Sequence, residues 1–496
     1  MRGGLDWDRI ESGWKPWHLW GLAVVAAGLA FLNVYKELYS MSAGYADYGL
    51  VRYMIQATAH RNPVPFYSLE DHQSHFGRHY YPYLFPVSWL SRIIPAEHLY
   101  AWLMTGLLVG AVLGLAVLVR RVTASTTMAV LAGAALLTNV YFRRLLFSLH
   151  MEGLQVVCEI LAFLAWRARR RWLFVGCLAA ALTAREDAPL FVAGLALWLL
   201  VADARDRKDR IAAGGVLVLA GAYFAAVYFW IMPAYRPAGS SDLQAAMLMD
   251  RWGRGASLRE VASNLLARPG DIFHALVNWH TLKLFVGFGL LPLVRPLYAV
   301  LVCAPPILML SLSRLPDYRL FRWYNAALFL GLLAVGVAVG LERILSYKRW
   351  ASARRRAVAR ACLLGALVLG AVEPPARRYW LDLWWYGTTL AGRPFPVTDR
   401  TWGVITALRS YPWENRSVAA GMYTLPQLPY IPRLSYIRDW RTAHPDLIVY
   451  DAATESRITP PDAGCADGPA FERALARAGY FRFELSGGCA IWERRR

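Results

Sequence analysis

The chain has 496 residues, of which 57% are hydrophobic, and its mean hydropathy is +0.31. It is therefore too apolar for an ordinary soluble domain and too long for a single membrane anchor. The formal net charge is +20, but the arginines fall in short clusters between apolar stretches rather than on one soluble face. This pattern argues against nucleic acid as a partner and is typical of the cytoplasmic loops of a polytopic membrane protein.

A mostly α-helical membrane domain is predicted over residues 17–373, after a polar cytoplasmic leader at 1–16. The first apolar run, from Trp17 to about Tyr35, lacks the small-residue cleavage site of a signal peptide, so we expect it to be retained as a span. A span needs about 20 apolar residues. Further candidates lie at about 99–119, 124–141, 154–166, 172–183, 190–201 and 212–230, in two runs around Arg295 and Pro296, and at about 326–341 and 361–372.

These runs amount to about eleven transmembrane helices, and they place every large basic cluster on one side of the membrane. The pattern predicts an integral plasma (inner) membrane protein with its N-terminus in the cytoplasm. Long external loops follow at 36–97 and 235–282. Within the first loop, DYGLVRYMIQATAH and PYLFPVSWLSRI have apolar spacing near the helical period, which predicts short helices in the membrane interface.

From residue 374 to 496 the composition is that of a small extracytoplasmic α/β domain. VAAGMY and DLIVYDA predict buried strands, FERALARAG predicts a helix, and FRFEL with CAIWER predicts a hairpin that turns at Gly487 and Gly488. Cys465 and Cys489 lie in this domain, and their spacing leaves open whether they form a disulfide.

The first external loop carries ionisable residues at the predicted membrane surface, which makes it a candidate functional segment. Asp47 precedes a predicted helix and is a candidate catalytic acid, although an N-terminal helix cap is the alternative. His75 and His79 are four residues apart and would share one face if the segment is helical, which suits a metal ion or an anionic group. Solvated interfacial histidines are the alternative for this pair.

Two further clusters follow at span ends on the same predicted side. One comprises Arg143, Arg144, His150 and Glu152, and the other comprises Arg185, Glu186 and Asp187 in the segment TAREDAP. Each cluster alone could be a set of ordinary interface residues. Because the predicted topology brings all of them to one membrane face, we expect them to line one site.

Carboxylates, histidines and arginines at an external membrane face suit the transfer of a sugar from a lipid-linked phosphate. A carboxylate would deprotonate the acceptor hydroxyl, while an arginine or a divalent metal would balance the charge of the leaving phosphate. Asp47 and His79 are the candidate metal ligands. Nucleotide sugars are not expected outside the cytoplasm, so the donor would be a polyprenyl-phosphate-linked sugar in the membrane lipid, and the acceptor a glycan, lipid or protein.

The segments GYADYGL, SHFGRHYYPYLFP, FSLHMEGL and TAREDAPL resemble, in this order, a prokaryotic membrane-protein family known as domain of unknown function two thousand and seventy-nine. The resemblance implies a GT-C type glycosyltransferase fold with a catalytic acid in the first external loop. It assigns that place to Asp47, and it assigns the family's H-x-E pair to His150 and Glu152 and its E-D pair to Glu186 and Asp187.

The resemblance also covers RWYNAALFLGLL, which contains Tyr324, and it extends to the external end of the chain. The departures are HYYP for H-F-S-P, LHMEG for F-H-P-E, and Arg185 for the family's lysine. We therefore expect catalytic roles for Asp47, Glu152, Glu186 and Asp187, and substrate-binding roles for His75, His79, His150, Arg143, Arg144, Arg185 and Tyr324. A lipid or polysaccharide transporter and a non-catalytic cell-envelope assembly protein are the alternatives.

Overall fold

The computed structural model describes residues 17–39, 49–61, 64–69, 73–148, 152–236, 258–313, 329–372, 399–413, 415–421, 424–451, 468–485 and 489–495, with residues 13, 15, 319, 321 and 326. The described residues form two compact units. The first unit draws on Met1–Phe31, Gly77–Tyr83 and Leu103–Leu381, and the second on Leu32–Phe76, Leu84–Trp102 and Asp382–Arg496.

The described part of the chain is mostly helical, as the sequence predicts. Up to residue 372 the helices are α1 (His18–Tyr39), α2 (Leu50–Ala59), α3 (Leu84–Leu90), α4 (Ala96–Thr123), α5 (Thr126–Thr138), α6 (Val140–Ser148), α7 (Gly153–Arg167), α8 (Arg171–Leu182), α9 (Ala188–Ala202), α10 (Arg207–Ala234), α11 (Leu258–Ala267), α12 (Pro269–Leu276), α13 (Trp279–Val286), α14 (Pro296–Ser311), α15 (Leu330–Leu345) and α16 (Ser352–Val372). A helix therefore lies at or beside each predicted span.

The predicted number of full-length spans is wrong for the described helices. Two of them, rather than about eleven, are long and apolar enough to cross a membrane by length and composition: His98–Thr123 with 26 residues and Arg207–Ala234 with 28. Several apolar helices are shorter, and the 12 residues of α8 rise only about 18 Å against a hydrocarbon core of roughly 30 Å. The predicted runs at 172–183 and 190–201 are themselves this short because a polar turn separates α8 from α9, which begins at Ala188, so counting each run as a full span was the error.

Several helices of the first unit expose large apolar side chains. On α10 these include Ile211, Val218, Phe229 and Trp230, and on α1 they include Trp20. Extended apolar surface of this kind suits contact with lipid rather than water. The interior of the unit is a separate apolar core, to which α7, α8, α9 and α15 contribute.

Charged residues at one end of the helical bundle are paired with one another. They lie at the C-terminal ends of α7, α9 and α15 and at the N-terminal ends of α8 and α10. Arg167 Nη2 lies 3.4 Å from Asp203 Oδ1 and 2.6 Å from Glu342 Oε2. Arg171 Nη2 lies 2.6 Å from Asp206 Oδ2. These helix ends, all of which the sequence predicts to be cytoplasmic, therefore lie together, while the side of the membrane stays a prediction.

In the second unit, α2 and α3 confirm the two helices predicted in the first external loop. The side chains of α2 are largely buried within the unit, and the ring of His60 stacks on Tyr430 with a centroid distance of 4.4 Å. In contrast, α3 exposes Phe85, Trp89 and Leu90. Only α3 thus presents the large apolar surface expected of an interfacial helix.

The second unit also contains the sheets. Strands β1 (Tyr67–Ser68) and β2 (Gln73–Ser74) form a short antiparallel pair. The C-terminal part contains β3 (Val418–Ala420), β4 (Leu434–Tyr436), β5 (Leu447–Tyr450), β6 (Tyr480–Glu484) and β7 (Ala490–Arg494), and the helices α17 (Asp399–Ser410), α18 (Trp440–Ala443) and α19 (Gly468–Arg477). The five strands have the order β4-β3-β5-β7-β6, with β3 parallel to β4 and β5.

The predicted strands β3 and β5, the helix α19 and the hairpin β6–β7 are confirmed, with Tyr480 opposite Arg494 in the hairpin register. Strand β4 was not predicted because LSY is too short to show alternation. Cys489 is buried, and Cys465, like the Gly487-Gly488 turn, lies outside the described residues. The disulfide therefore stays a prediction.

Candidate functional site

Five of the predicted site residues meet in the first unit. They are His79, Glu152, Arg185, Glu186 and Asp187. We call this set the acidic cluster. Asp47, His150 and Tyr324, as well as the side chain of Arg144, lie outside the described residues, so their predicted roles stay predictions.

The acidic cluster is formed where two helices begin. Glu152 directly precedes α7, and Asp187 directly precedes α9, whose second residue is Pro189. Proline fits the first turn of a helix because its missing N–H is not needed there. Neither carboxylate caps its helix through a side-chain hydrogen bond, but the partial positive charge of a helix N-terminus favours a negative group nearby.

Arg185 is the buried cation at the centre of the acidic cluster. Its Nη1 donates a hydrogen bond of 3.0 Å to Glu152 Oε1. Its Nε lies 3.6 Å from Glu186 Oε1 and 3.3 Å from Asp187 Oδ1. Burial alone would lower the pKa of Arg185, but the surrounding carboxylates outweigh burial and raise it. The guanidinium is therefore permanently charged.

Glu186 is held in its ionised form. Its Oε1 lies 2.8 Å from His79 Nδ1, and its Oε2 accepts a hydrogen bond of 3.1 Å from the backbone N–H of Tyr80. Burial favours the neutral acid, but His79 and Arg185 together lower the pKa of Glu186 to about 2. Because an ionised carboxylate only accepts hydrogen bonds, the ring hydrogen in this contact is on Nδ1 of His79.

Asp187 differs from Glu186 although the two residues are adjacent. Burial raises the pKa of Asp187 to about 7, with Arg185 opposing the shift and the charges of Glu186 and Glu152 adding to it. Within the described residues, Asp187 Oδ1 and Arg185 Nε are buried and make no hydrogen bond. The acidic cluster thus contains a carboxyl group that exchanges its proton near neutral pH beside a fixed positive charge.

The segment that carries His79 is fixed by the end of α10. Arg236 Nε donates a hydrogen bond of 3.1 Å to the carbonyl oxygen of Gly77. A Cβ atom at Gly77 would lie 2.9 Å from the carbonyl oxygen of Tyr235, so only glycine allows this close approach.

The expectation that His75 and His79 share a helical face is wrong. His75 begins a three-residue 3₁₀ turn, His75–Gly77, which ends before His79. The two histidines also belong to different units. Of the two, His79 joins the acidic cluster, and the backbone between Gly77 and Leu84 is not helical.

Arg143 lies on α6, and its Nε donates a hydrogen bond of 3.1 Å to the carbonyl oxygen of Thr138, at the end of α5. This contact satisfies a carbonyl group that a helix C-terminus leaves without an intrahelical partner. The predicted role of Arg143 in substrate binding stays a prediction.

A comparison with protein families gives a match over residues 37–457 to the family described as "Predicted membrane protein (DUF2079)". The chain belongs to this family. This match confirms the family resemblance seen in the sequence. The matched region contains every residue of the acidic cluster. None of the curated proteins matches this DUF2079 chain.

A metal site in this DUF2079 protein stays a prediction. Among the described residues there is no group of three or more His, Cys, Asp or Glu side chains that could hold a metal ion. One of the two candidate ligands, Asp47, lies outside the described residues, and the other, His79, bonds to Glu186.

Sequence reasoning missed two polar residues on α7. Gln155 and Glu159 are fully buried, and Gln155 Nε2 donates a hydrogen bond of 2.9 Å to Glu159 Oε1. Gln155 lies three residues after Glu152, and Glu159 lies four residues after Gln155, which places all three on one helical face. The spacing of polar residues within an otherwise apolar helix was the signal that could have identified them.

Proposed function

We propose that the chain is a GT-C-like integral membrane glycosyltransferase, which moves a sugar from a polyprenyl-phosphate-linked donor to an acceptor on the extracytoplasmic side. The observation that carries this proposal is Asp187, a buried carboxyl with a pKa of about 7 that lies 3.3 Å from the guanidinium of Arg185. A general base is most effective when its pKa is near the working pH.

The proposed reaction assigns one role to each group. Ionised Asp187 accepts the proton of the acceptor hydroxyl, and the acceptor oxygen forms a bond to the anomeric carbon of the sugar. The bond between that carbon and the phosphate oxygen breaks, and its electron pair leaves with the polyprenyl phosphate. Arg185 stabilises the negative charge that develops there, while Glu152 and Glu186 hold the guanidinium in place.

Transfer of a labelled sugar to acceptor lipids tests this proposal in reconstituted vesicles. We expect transfer by the wild type from at least one polyprenyl-phosphate sugar, and a loss of about 100-fold or more in Asp187→Asn, the usual scale for removing a general base. Asp206→Asn is the control because Asp206 also precedes a helix, at the other end of the bundle. Transfer at the wild-type rate by Asp187→Asn would remove this residue from the mechanism.

A transporter is the second candidate, and Glu159 is the observation that favours it. Glu159 is fully buried and is the seventh of the 15 residues of α7, close to the middle of the helix. In addition, π-helical turns interrupt α10 at Val227–Ile231 and α14 at Ala299–Cys303. Ionisable groups within membrane helices and local helix breaks are features of transport pathways.

The variant Glu159→Gln separates the two candidates. If the chain is a transferase, Glu159→Gln retains sugar transfer while Asp187→Asn loses it. If the chain is a proton-coupled transporter, Glu159→Gln abolishes flux of a labelled lipid-linked sugar across the vesicle membrane, and no sugar transfer is found in either protein.

A further inference from the structure

A cavity of about 450 Å³ in the first unit is lined by three arginines. It lies at the turn between α4 and α5 and at the first turns of α16. Its polar lining consists of Thr123, Ser125, Ser352, Arg355, Arg356 and Arg360. None of its described lining residues carries a carboxylate, so the positive charge of the arginines is not balanced within the lining. We call it the arginine cavity.

The backbone adds to the positive potential of the arginine cavity. Ser125 is the N-cap of α5, and its Oγ accepts a hydrogen bond of 3.1 Å from the backbone N–H of Met128. The N-terminus of this 13-residue helix therefore borders the cavity, and the first N–H groups of a helix favour anions.

Arg355 is held in place while part of its guanidinium remains available. Its Nη1 donates to the carbonyl oxygen of Leu345, at the end of α15. Its Nε is buried and has no hydrogen-bond partner among the described residues. A buried donor without a partner costs free energy, and an anion in the cavity would remove that cost.

The other basic segment of the bundle provides a contrast. Arg167, Arg169 and Arg171 all form ion pairs with aspartates or glutamates of neighbouring helices. In contrast, Arg355 and Arg356 of the arginine cavity form no ion pair with a carboxylate among the described residues.

The location of the arginine cavity favours a lipid. Tyr347 and Trp350 lie in the turn before α16, and the guanidinium of Arg354 lies 4.9 Å above the ring of Trp350. Tyrosine and tryptophan are enriched at the level of lipid head groups. Leu345 follows Glu342, which pairs with Arg167 at the C-terminal end of α7, whereas Glu152 precedes its N-terminal end. The cavity thus lies at the opposite end of α7 from the acidic cluster.

We propose that the arginine cavity binds the phosphate of an anionic phospholipid head group through Arg355, Arg356 and Arg360. Guanidinium groups pair with phosphate oxygens in a bidentate manner, and the N-terminus of α5 contributes additional donors. This site is separate from the proposed transfer reaction and does not depend on it.

Binding by the purified full-length chain in detergent tests the proposal. The probes are short-chain phosphatidylglycerol, short-chain phosphatidylcholine as the zwitterionic control, and inorganic pyrophosphate as the free anion. The test variant is Arg355→Gln with Arg356→Gln, and the matched control is Arg354→Gln, because Arg354 is adjacent in sequence but does not line the cavity.

We expect saturable binding of phosphatidylglycerol but not of phosphatidylcholine, weakened by about tenfold or more in the double variant and unchanged in Arg354→Gln. Pyrophosphate binding that the double variant also loses would support a phosphate site that takes a free anion. Equal binding of both lipids, or wild-type affinity in the double variant, would overturn the proposal. If the double variant does not remain monodisperse, Arg356→Lys keeps the charge but not the bidentate geometry, and unchanged affinity in that variant would also overturn it.

Discussion

Asp187 and Glu186 are neighbours in sequence, yet their surroundings give them different pKa values. Glu186 is hydrogen-bonded to the N–H of Tyr80 and to His79, and His79 and Arg185 keep it ionised. Asp187 Oδ1 makes no hydrogen bond within the described residues, so burial dominates its pKa. The pKa values of two adjacent carboxyl groups are thus shifted in opposite directions, which is the arrangement expected where acid–base chemistry takes place.

Replacing Asp187 by asparagine should change how stability depends on pH. The pKa of Asp187 is raised from 3.8 to about 7, so its neutral form stabilises the folded state at low pH, and this contribution falls as the pH rises from about 4 to about 7. Asparagine resembles the neutral acid at every pH. We therefore expect the free energy of unfolding of Asp187→Asn to be higher than that of the wild type by about a few kcal/mol above pH 7. This difference should become smaller towards pH 5.

Thermal unfolding in detergent between pH 5 and 8 measures this difference. Asp206→Asn is the control, since asparagine caps a helix as well as aspartate does and Asp206 caps α10. A constant difference in Tm between Asp187→Asn and the wild type across this range would contradict the assigned proton affinity.

Glu186→Gln should show the opposite sign. The pKa of Glu186 is lowered from 4.5 to about 2, so its ionised form stabilises the folded state above pH 4.5, and this contribution is lost as the pH falls towards 2. We expect Glu186→Gln to lower the Tm at pH 7 because the contact with His79 loses its charge. A Tm at pH 7 equal to that of the wild type would contradict a stabilising contact between Glu186 and His79.

The sequence predicted the composition of the acidic cluster better than its contacts. TAREDAP and the H-x-E segment were placed at one membrane face because the basic loops alternate with the apolar runs. The pairing of His79 with Glu186 joins residues 107 positions apart, and periodicity contains no information on such a contact. The shared helix of His75 and His79 failed because spacing alone cannot show that a 3₁₀ turn ends at Gly77.

At the scale of single elements, α15 packs closely because of its glycines. A Cβ atom at Gly336 would lie 2.8 Å from the Cβ of Pro292, and one at Gly340 would overlap the carbonyl oxygen of Leu291. Small residues four positions apart allow this close approach of backbones within a helical bundle. The turn at Leu291–Val294 therefore depends on glycine at both positions.

Gly340→Ala should destabilise the fold by about 1–3 kcal/mol, because a backbone carbonyl cannot move aside as a flexible side chain can. Gly365→Ala is the matched control on α16, where an added Cβ meets no atom within 4 Å. We expect that control to remain within about 1 kcal/mol of the wild type. Equal Tm values for the two variants in detergent would contradict the packing described for α15.

Hydrophobic runs located the helices of the first unit well, and the predicted runs at 172–183 and 190–201 lie close to α8, which ends at Leu182, and α9, which begins at Ala188. The error was to count runs of this length as full membrane spans. The hairpin β6–β7 was predicted because its two runs flank a glycine pair. In contrast, β4 pairs with β3 over only three residues, which is too few to show the alternation of apolar and polar residues that predicts a strand.

In the whole molecule, the predicted topology places the two ends of the first unit on opposite sides of the membrane. The described contacts support half of this requirement, because helix ends predicted to share a side do meet, as Arg167 and Glu342 show. The sequence could predict this topology because the positive-inside rule depends on where Lys and Arg lie between the apolar runs. It could not predict that the described chain separates into two units or which loops each unit contains.

Single cysteines introduced into a cysteine-free background test the sidedness. Lys208 and Arg477 are exposed, on α10 and α19 respectively. We expect a membrane-impermeant maleimide, applied to intact cells, to label Arg477→Cys and to label Lys208→Cys only after the membrane is opened. Labelling of both variants from the same side would contradict the predicted topology.

The pH dependence of sugar transfer by the reconstituted protein tests whether Asp187 is the general base. If Asp187 is the general base, the transfer rate rises with pH and reaches half of its maximum near the pKa of about 7. In Asp187→Asn this rise should disappear together with most of the rate, while Asp206→Asn should retain both. Transfer by Asp187→Asn at the wild-type rate and with the wild-type pH profile would contradict the account.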